Sequence, residues 1–251
     1  MHPKTQSLAR QRRWQRIGLL AAAAMLAGAS GCATSRGVLD IRQPSLANPA
    51  TGPAIKIVEV RDQRKFEVAP NQPSIPSLKD RDIGNKPLRS RAIARKRNTY
   101  GAALGDILLP EGRTVEQLTR EALTAGLREG GIRVVEPGDV DYDSAVPFEA
   151  DIEKFWSWFT PGFWAITLEF QSEVRVSSAV AGLSPTAVTL HGAASDSGQA
   201  ATGGAWQKVM NAGLADLVRD CREQPSPVVP AVVAQARAPQ HAVAEASALA
   251  P

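Results

Sequence analysis

Five basic side chains lie close together near residue 90 and could bind an anion. They fall within nine residues and are interleaved with apolar ones: Arg89, Arg91, Arg95, Lys96 and Arg97. Guanidinium groups form paired hydrogen bonds with phosphate oxygens, so lipid A or phospholipid headgroups are the ligands that this pattern fits. The alternative is a solvated run of positive charge that balances acidic residues elsewhere in the chain.

Aromatic side chains are concentrated in a second segment. Seven of the chain's aromatic residues fall between positions 155 and 170: Phe155, Trp156, Trp158, Phe159, Phe163, Trp164 and Phe170. Alternation along two strands predicts that Trp164 and Phe170 face the core. We expect Trp158, Phe159 and Phe163 to flank the turn between the strands, where exposed rings would contact a partner protein or the membrane interface. Packing of these rings within the core is the alternative.

Few residues between positions 32 and 223 could support catalysis or bind a metal. His191 is the one histidine there, and its alternation with Leu190 predicts a surface position with no nucleophile beside it. Three aspartates have the spacing of a calcium loop's first ligands, but Ser144 stands where the loop needs glycine, so we expect a solvated acidic turn at Asp139, Asp141 and Asp143. The sequence therefore predicts no catalytic residue, metal or cofactor, and no enzyme.

The N-terminus has the layout of an export signal. Residues 1–16 contain five bases and no acid, and an apolar run over 17–29 precedes Ser30-Gly31-Cys32. The run is well short of the roughly 20 apolar residues that span a bilayer. Small residues directly before a cysteine resemble the lipobox of bacterial lipoproteins, which implies diacylglycerol on Cys32. Ordinary cleavage after Ala27-Gly28-Ala29 is the alternative, and it would make a disulfide between Cys32 and Cys221 possible.

Charge argues against a nucleic-acid partner. Of 29 basic and 25 acidic residues, five bases and no acids precede Cys32, so the mature chain is close to neutral. Positive charge is concentrated over residues 61–97, which leaves the rest of the mature chain acidic.

Composition divides the chain into four segments. Residues 1–31 are the predicted signal peptide, and 32–53 form a flexible tether that lets the domain stand off the membrane. A single domain is expected over 54–223, including a basic, proline-containing excursion at 62–112. The alanine- and proline-rich residues 224–251 are expected to be disordered.

The predicted elements indicate an α+β fold, with a mainly antiparallel sheet and two amphipathic helices packed on one face. Thr114 and Gln117 form a capping box at the start of the first helix, which ends at Gly130-Gly131. Helical spacing from Trp206 to Cys221 predicts the second helix and places the thiol on its buried stripe. A short basic helix is expected over 88–97. Strands are predicted over 55–61, 132–136, 148–159, 163–178 and 186–195.

This layout resembles the YajG-like family of outer-membrane lipoproteins. The likeness rests on Ala29-Ser30-Gly31-Cys32, the helix 116–129 followed by Gly130-Gly131-Ile132-Arg133-Val134-Val135, the strands between 148 and 195, and the closing helix through Leu217. The excursion and the tail depart from the family pattern. The resemblance implies location and fold but no activity, and accessory lipoproteins of lipid-transport machines are similar in plan.

We therefore expect a non-catalytic lipoprotein on the periplasmic face of the outer membrane. Ala33 after the cysteine, rather than aspartate, is typical of outer-membrane sorting in the lipoprotein pattern. Its expected role is that of an accessory or scaffold with an envelope protein partner. The alternative is a binding module for anionic lipid or glycan that acts through residues 89–97.

Overall fold

Eight strands and four helices follow one another along the part of the chain that the structure describes. The computed structural model describes residues 36–43, 45–49, 51–98, 100–178 and 186–224, so the predicted signal peptide, Cys32 and the tail from residue 225 lie outside it. The elements are, in chain order, β1 Gly37–Val38, β2 Ala54–Asp62, α1 Asp80–Ile83, α2 Lys86–Arg89, β3 Ala92–Arg97, β4 Ala103–Leu108, α3 Val115–Glu129, β5 Arg133–Val134, β6 Val146–Pro161, β7 Ile166–Ser178, β8 Thr186–Gly198 and α4 Gly203–Glu223.

All eight strands join one mixed sheet. Along most of its length β6 pairs with β7, which pairs with β8, and both pairings are antiparallel. On its other side β6 pairs in parallel first with β2 and then with β3. β2 continues to β5 in parallel, while β3 continues to antiparallel β4 and then to β1, which is parallel to β4.

The chain therefore combines helices with one sheet, as the sequence predicts. The mainly antiparallel character of the sheet is not confirmed, because four of the seven pairings described above are parallel. Long connections that contain helices separate β2 and β3 from β6, and such crossovers bring strands together in parallel.

The two long helices begin at the caps that their sequences encode. In α3 the Gln117 backbone N–H donates to Thr114 Oγ1 at 3.2 Å, and the Thr114 N–H donates back to Gln117 Oε1 at 3.0 Å, which confirms the capping box. In α4 the Thr202 hydroxyl accepts a hydrogen bond from the Ala205 N–H at 3.2 Å. Among the described residues, no helix combines the length and apolar character needed to cross a membrane.

α3 and α4 pack against each other at a close backbone approach. A Cβ atom added at Gly126 would lie 2.6 Å from Cys221 Cβ, so only glycine lets the two helices meet there. Both helices contribute to the larger core cluster together with β2, β6, β7 and β8. Cys221 is buried on the predicted stripe of α4.

The excursion covers a second, smaller core. Leu78 and Leu88 come from the excursion and pack with Trp156 and Trp158 of β6. The Phe66 ring packs edge-on against Trp156 at a centroid distance of 5.9 Å. The predicted short helix over 88–97 is wrong, because α2 ends at Arg89 and β3 begins at Ala92. Strand pairing with β4 and β6 outweighs the helical pattern of that short run.

Much of the predicted tether lies along the domain. β1 pairs with β4, Ile41 is fully buried in the larger core, and Leu39 and Leu46 pack against it. Asn48 Nδ2 donates to the Val134 carbonyl at 3.0 Å. These apolar residues attach the segment to the domain, but they are not spaced with the period of a helix or a strand. Composition alone therefore assigns the segment to a tether. Only residues 32–36 of the predicted tether precede β1.

Candidate functional site

The turn between β6 and β7 presents two aromatic rings to solvent. The Gly162 N–H donates to the Ala165 carbonyl at 2.8 Å, which leaves Phe163 and Trp164 as the two residues of the turn. Their side chains are 90% and 82% exposed, and the rings pack edge-on with centroids 4.8 Å apart. The rings contact each other and stand clear of both core clusters.

Turn chemistry does not explain these two residues. Two-residue hairpin turns that need positive φ favour Asn-Gly or Gly-containing pairs, but neither Phe163 nor Trp164 has positive φ, so the backbone here demands no particular residue type. Gly162, by contrast, is explained by packing, since a Cβ atom there would lie 2.6 Å from the Ala165 carbonyl oxygen. Large exposed rings at the tip of a hairpin are typical of a contact with a partner or a membrane interface.

A third exposed aromatic residue lies at the same end of the sheet. Tyr100 is 94% exposed in the turn between β3 and β4, where Asn98 Oδ1 accepts hydrogen bonds from the Tyr100 and Ala102 backbone N–H groups at 3.0 and 2.8 Å. Because β3 runs parallel to β6, the turns that follow the two strands point the same way. Tyr100, Phe163 and Trp164 are the fully exposed aromatic residues in the described part of the chain, and we call this surface the aromatic end.

The turns at the aromatic end contain no charged residue, although the Arg97 guanidinium reaches the Gly101 carbonyl there, whereas the loop at the opposite end is acidic. Three runs without a charged residue meet there, namely 98–105, 155–168 and 197–207, and the Ile166–Gly198 pairing brings the last two side by side. The loop before β6 carries Glu136, Asp139, Asp141 and Asp143, and it lies at the far end of that strand. The two ends of the sheet therefore differ in the charged residues that their turns and loops carry.

Two of the three predicted contact residues lie away from the surface. Trp158 is only 5% exposed and belongs to the smaller core, and Lys154 Nζ lies 5.6 Å from the centre of its ring. Phe159 is half-buried and packs against the larger core. The excursion packs over Trp156 and Trp158, which belong to the smaller core. The sequence pattern does not reveal that this segment folds back onto β6.

Trp164, by contrast, is predicted to be buried but is exposed. Alternation placed it in the core beside Phe170, yet β7 begins only at Ile166, so Trp164 falls in the turn. Phe170 is buried, and its ring packs edge-on against Phe155 at 5.0 Å. Phe163, a predicted contact residue, is therefore exposed together with Trp164, which the sequence pattern assigned to the core.

The structure does not bring the five basic residues together. Arg95 is buried, and its Nε lies 3.6 Å from Asp106 Oδ1. Arg97 donates to the Gly101 carbonyl at 2.9 Å and to Ser77 Oγ at 2.8 Å, and burial, followed by the nearby Arg95 charge, lowers its pKa. These two cations are part of the domain's internal structure.

The remaining bases of this set also lie apart. Arg89 is in α2, where its guanidinium stacks on the Phe66 ring at 5.5 Å. Arg91 Nε donates to the Leu109 carbonyl at 3.0 Å, and Lys96 is half-buried on β3. A strand directs alternate side chains to opposite faces, so this segment does not present a continuous row of guanidinium groups.

The groups that could support catalysis or metal binding have structural contacts. His191 is exposed, and its backbone N–H donates to Asp220 Oδ2 at 2.7 Å. Asp141 pairs with Arg133, while Asp139 Oδ2 accepts a hydrogen bond from the Glu136 N–H at 2.9 Å. Within the described ranges, no three histidine, cysteine or acidic side chains are grouped so as to hold a metal ion.

An open cavity of about 410 Å³ beside α3 is lined by arginines that the sequence analysis did not single out. Arg113 forms a paired salt bridge with Glu121, and Arg128 donates to the Leu46 carbonyl and to Asn48 Oδ1. Arg120 donates to the Ile57 carbonyl at 2.6 Å. Each of these arginines fastens α3 to a neighbouring segment, and the partners of Arg120 and Arg128 are too distant in sequence to be recognised from spacing.

Comparison with known proteins leaves the function open. No protein-family model matches the chain, and no curated protein matches it in sequence. Protein XCC0632 from Xanthomonas campestris, assigned to DUF330, is 10% identical over 80% of this chain and 98% of its own, with a TM-score of 0.41. The crystal structure of an uncharacterized protein is 11% identical over 79% of this chain and 98% of its own, with a TM-score of 0.35. At these identities and TM-scores, the similarity assigns no function to the chain.

Proposed function

We propose that this chain is a non-catalytic, lipid-anchored envelope protein that serves as an accessory or scaffold in outer-membrane assembly or transport. Its lipid is diacylglycerol on Cys32, and its place is the periplasmic face of the outer membrane. The observation that carries the proposal is the aromatic end, where Tyr100, Phe163 and Trp164 are exposed in turns that contain no charged residue. Large rings exposed at one end of a domain favour a contact with a partner or a membrane at that end.

The proposal also includes an α+β arrangement in which α3 and α4 cover one face of the sheet. Its support is that the two helices pack on each other and share the larger core cluster. The antiparallel β6–β7–β8 ladder then forms the long platform that ends in the aromatic turn.

Anchoring is tested by metabolic labelling with a palmitate analogue. The full chain is expected to take up label and to sediment with outer membranes, and Cys32→Ala is expected to abolish both. Cys221→Ala is the matched control, because that thiol is buried and its loss should leave labelling unchanged. Labelling that survives in Cys32→Ala would contradict the proposed anchor.

The accessory role is tested by crosslinking in native envelopes followed by purification of the acylated protein. Recovery of one envelope protein in fixed ratio is the expected result. If only lipid were recovered, the accessory role would be rejected in favour of a lipid-binding module.

A further inference from the structure

We infer that Tyr100, Phe163 and Trp164 insert into the headgroup region of the same bilayer that holds the lipid on Cys32, so that the protein is attached at two points and has a fixed orientation. The inference rests on the proposed lipidation of Cys32. It goes further by assigning the aromatic end to the bilayer and the acidic end to the solvent.

The direction of β1 decides at which end of the sheet this strand begins. β1 is parallel to β4 and therefore opposite in direction to β3 and β6. β1 accordingly begins, at Gly37, on the side of the sheet at which β6 finishes.

The reach of the intervening chain matches the distance to be covered. Gly37 is in register with Ile107, Ile107 with Ala94, and Ala94 with Ser157. From Ser157 to Gly162 the hairpin extends five residues, about 17 Å at the rise of a strand. Cys32 lies five residues before Gly37, and five extended residues span at most about 18 Å. The residues between Cys32 and Gly37 are therefore long enough for a lipidated Cys32 to reach the level of the aromatic end.

The size and chemistry of the aromatic end favour a bilayer over a protein partner. Stable protein interfaces bury about 800 Å² on each partner. Aromatic side chains bury about 150–250 Å² each, so the three rings together reach about 450–750 Å² and stay below that area. Tryptophan and tyrosine are the residues enriched at membrane–water interfaces, and both are exposed at this end.

The opposite end of the domain favours the same orientation. The acidic loop precedes β6, whose 16 residues separate it from the aromatic turn by about 50 Å. The surfaces of membranes rich in anionic lipid repel carboxylates and attract bases. An orientation with the aromatic end on the bilayer keeps Asp139 and Asp143 far from that surface.

The arrangement of tryptophans provides a direct test. Of the tryptophans that follow Cys32, Trp156, Trp158 and Trp206 are buried, whereas Trp164 is 82% exposed. Fluorescence quenching of the acylated full-length mature protein in vesicles therefore reports mainly on Trp164. We expect brominated lipid to quench part of the emission, and iodide quenching to fall at least about threefold relative to the mature Cys32→Ala chain in lipid-free buffer as the ring leaves water.

Two variants supply matched controls. Trp164→Phe keeps a ring at the turn but removes the reporter, so lipid-borne quenching should disappear. Val140 is 101% exposed in the acidic loop. Val140→Trp, made in the Trp164→Phe background, should stay open to iodide and should not be quenched by brominated lipid.

Mass analysis of the same sample separates this inference from the proposed function. If Cys32 carries no lipid, the proposed anchor fails first. If Cys32 is lipidated but Trp164 remains as open to iodide in vesicles as it is in the Cys32→Ala chain in lipid-free buffer, the second contact is rejected. Protection from iodide without quenching by brominated lipid would also overturn it, because a protein partner or a second copy would then cover the rings.

Discussion

Arg64 shows how a single residue joins the excursion to the sheet. Its side chain is fully buried and forms a paired salt bridge with Asp62 at 2.8 Å. It also donates to the carbonyls of Arg89, Ala92 and Phe155 at 2.7–3.0 Å. Arg64→Ala is expected to lower the free energy of unfolding by about 3–5 kcal/mol, because it leaves Asp62 and three carbonyls without their donor.

Urea unfolding of the full chain measures this loss. Arg64→Lys should also destabilise, since an ammonium group lacks the planar fork that bridges the carboxylate and the carbonyls. Arg81→Ala is the control, because that side chain is 78% exposed and its removal should cost less than about 0.5 kcal/mol. Equal stability of Arg64→Ala and Arg81→Ala would show that the buried network is not needed.

Cys221 links the stability of the domain to alkaline pH. Burial, followed by the charges of Asp220 and Glu129, raises the pKa of the thiol to about 12. In the unfolded chain the thiol ionises near its ordinary pKa of about 8.5. Its contribution to stability is therefore complete below that value and is lost as the pH rises toward 12.

Urea unfolding at several pH values, in wild type and Cys221→Ala, isolates this effect. The wild type is expected to lose more stability than the variant between about pH 9 and 12, and a thiol reagent at pH 8 should react only after unfolding. Parallel pH profiles for the two proteins, or rapid reaction of the folded one, would contradict the assignment.

The sequence predicted local features of residues better than their partners. Periodicity alone placed Cys221 on a buried stripe, and the cap at Thr114 followed from the residue three positions later. Local sequence patterns did not predict the contacts of Arg64 and Arg95. Arg64 reaches Phe155, which is 91 positions away, and only the folded topology reveals that neighbour.

At the scale of elements, the close packing of α4 on the sheet depends on Gly213, although glycine has a low propensity for helices. A Cβ atom at Gly213 would lie 2.0 Å from Cδ1 of Phe170, whose ring is fully buried and cannot move aside. Gly213→Ala is therefore expected to lower the free energy of unfolding by about 1–3 kcal/mol, although alanine favours helices. Gly204→Ala in the same helix meets only Thr202 Oγ1 at 4.0 Å and should be neutral or stabilising.

Thermal unfolding of the two variants compares them directly. A lower melting temperature for Gly213→Ala than for Gly204→Ala is the expected order. Equal or reversed melting temperatures would mean that α4 does not pack on β7 as closely as described.

Elements with a strong period were predicted well, and elements defined by long-range pairing were not. Both long helices and the strands β2, β6, β7 and β8 lie close to their predicted positions. β3 was expected to be part of a basic helix, and β1 and β4 were not expected at all. These short strands exist because they pair with one another and with β6, and no local pattern encodes that pairing.

At the scale of the whole molecule, the corrected tether changes how we expect the domain to meet the membrane. Composition suggested that residues 32–53 hold the domain at a distance, but the chain is packed on the domain from Gly37 onward. Only four residues, 33–36, then separate Gly37 from a lipidated Cys32. We therefore expect the aromatic end to be held near the bilayer and the acidic loop to face away from it.

The central claim is that the sulfur of Cys32 carries the lipid that holds this domain at the membrane. The most direct measurement is the intact mass of the mature protein purified from its native envelope. We expect a chain that begins at Cys32 with the added mass of a diacylglycerol group on its sulfur. A chain that begins at Ser30 with an unmodified cysteine would contradict the claim.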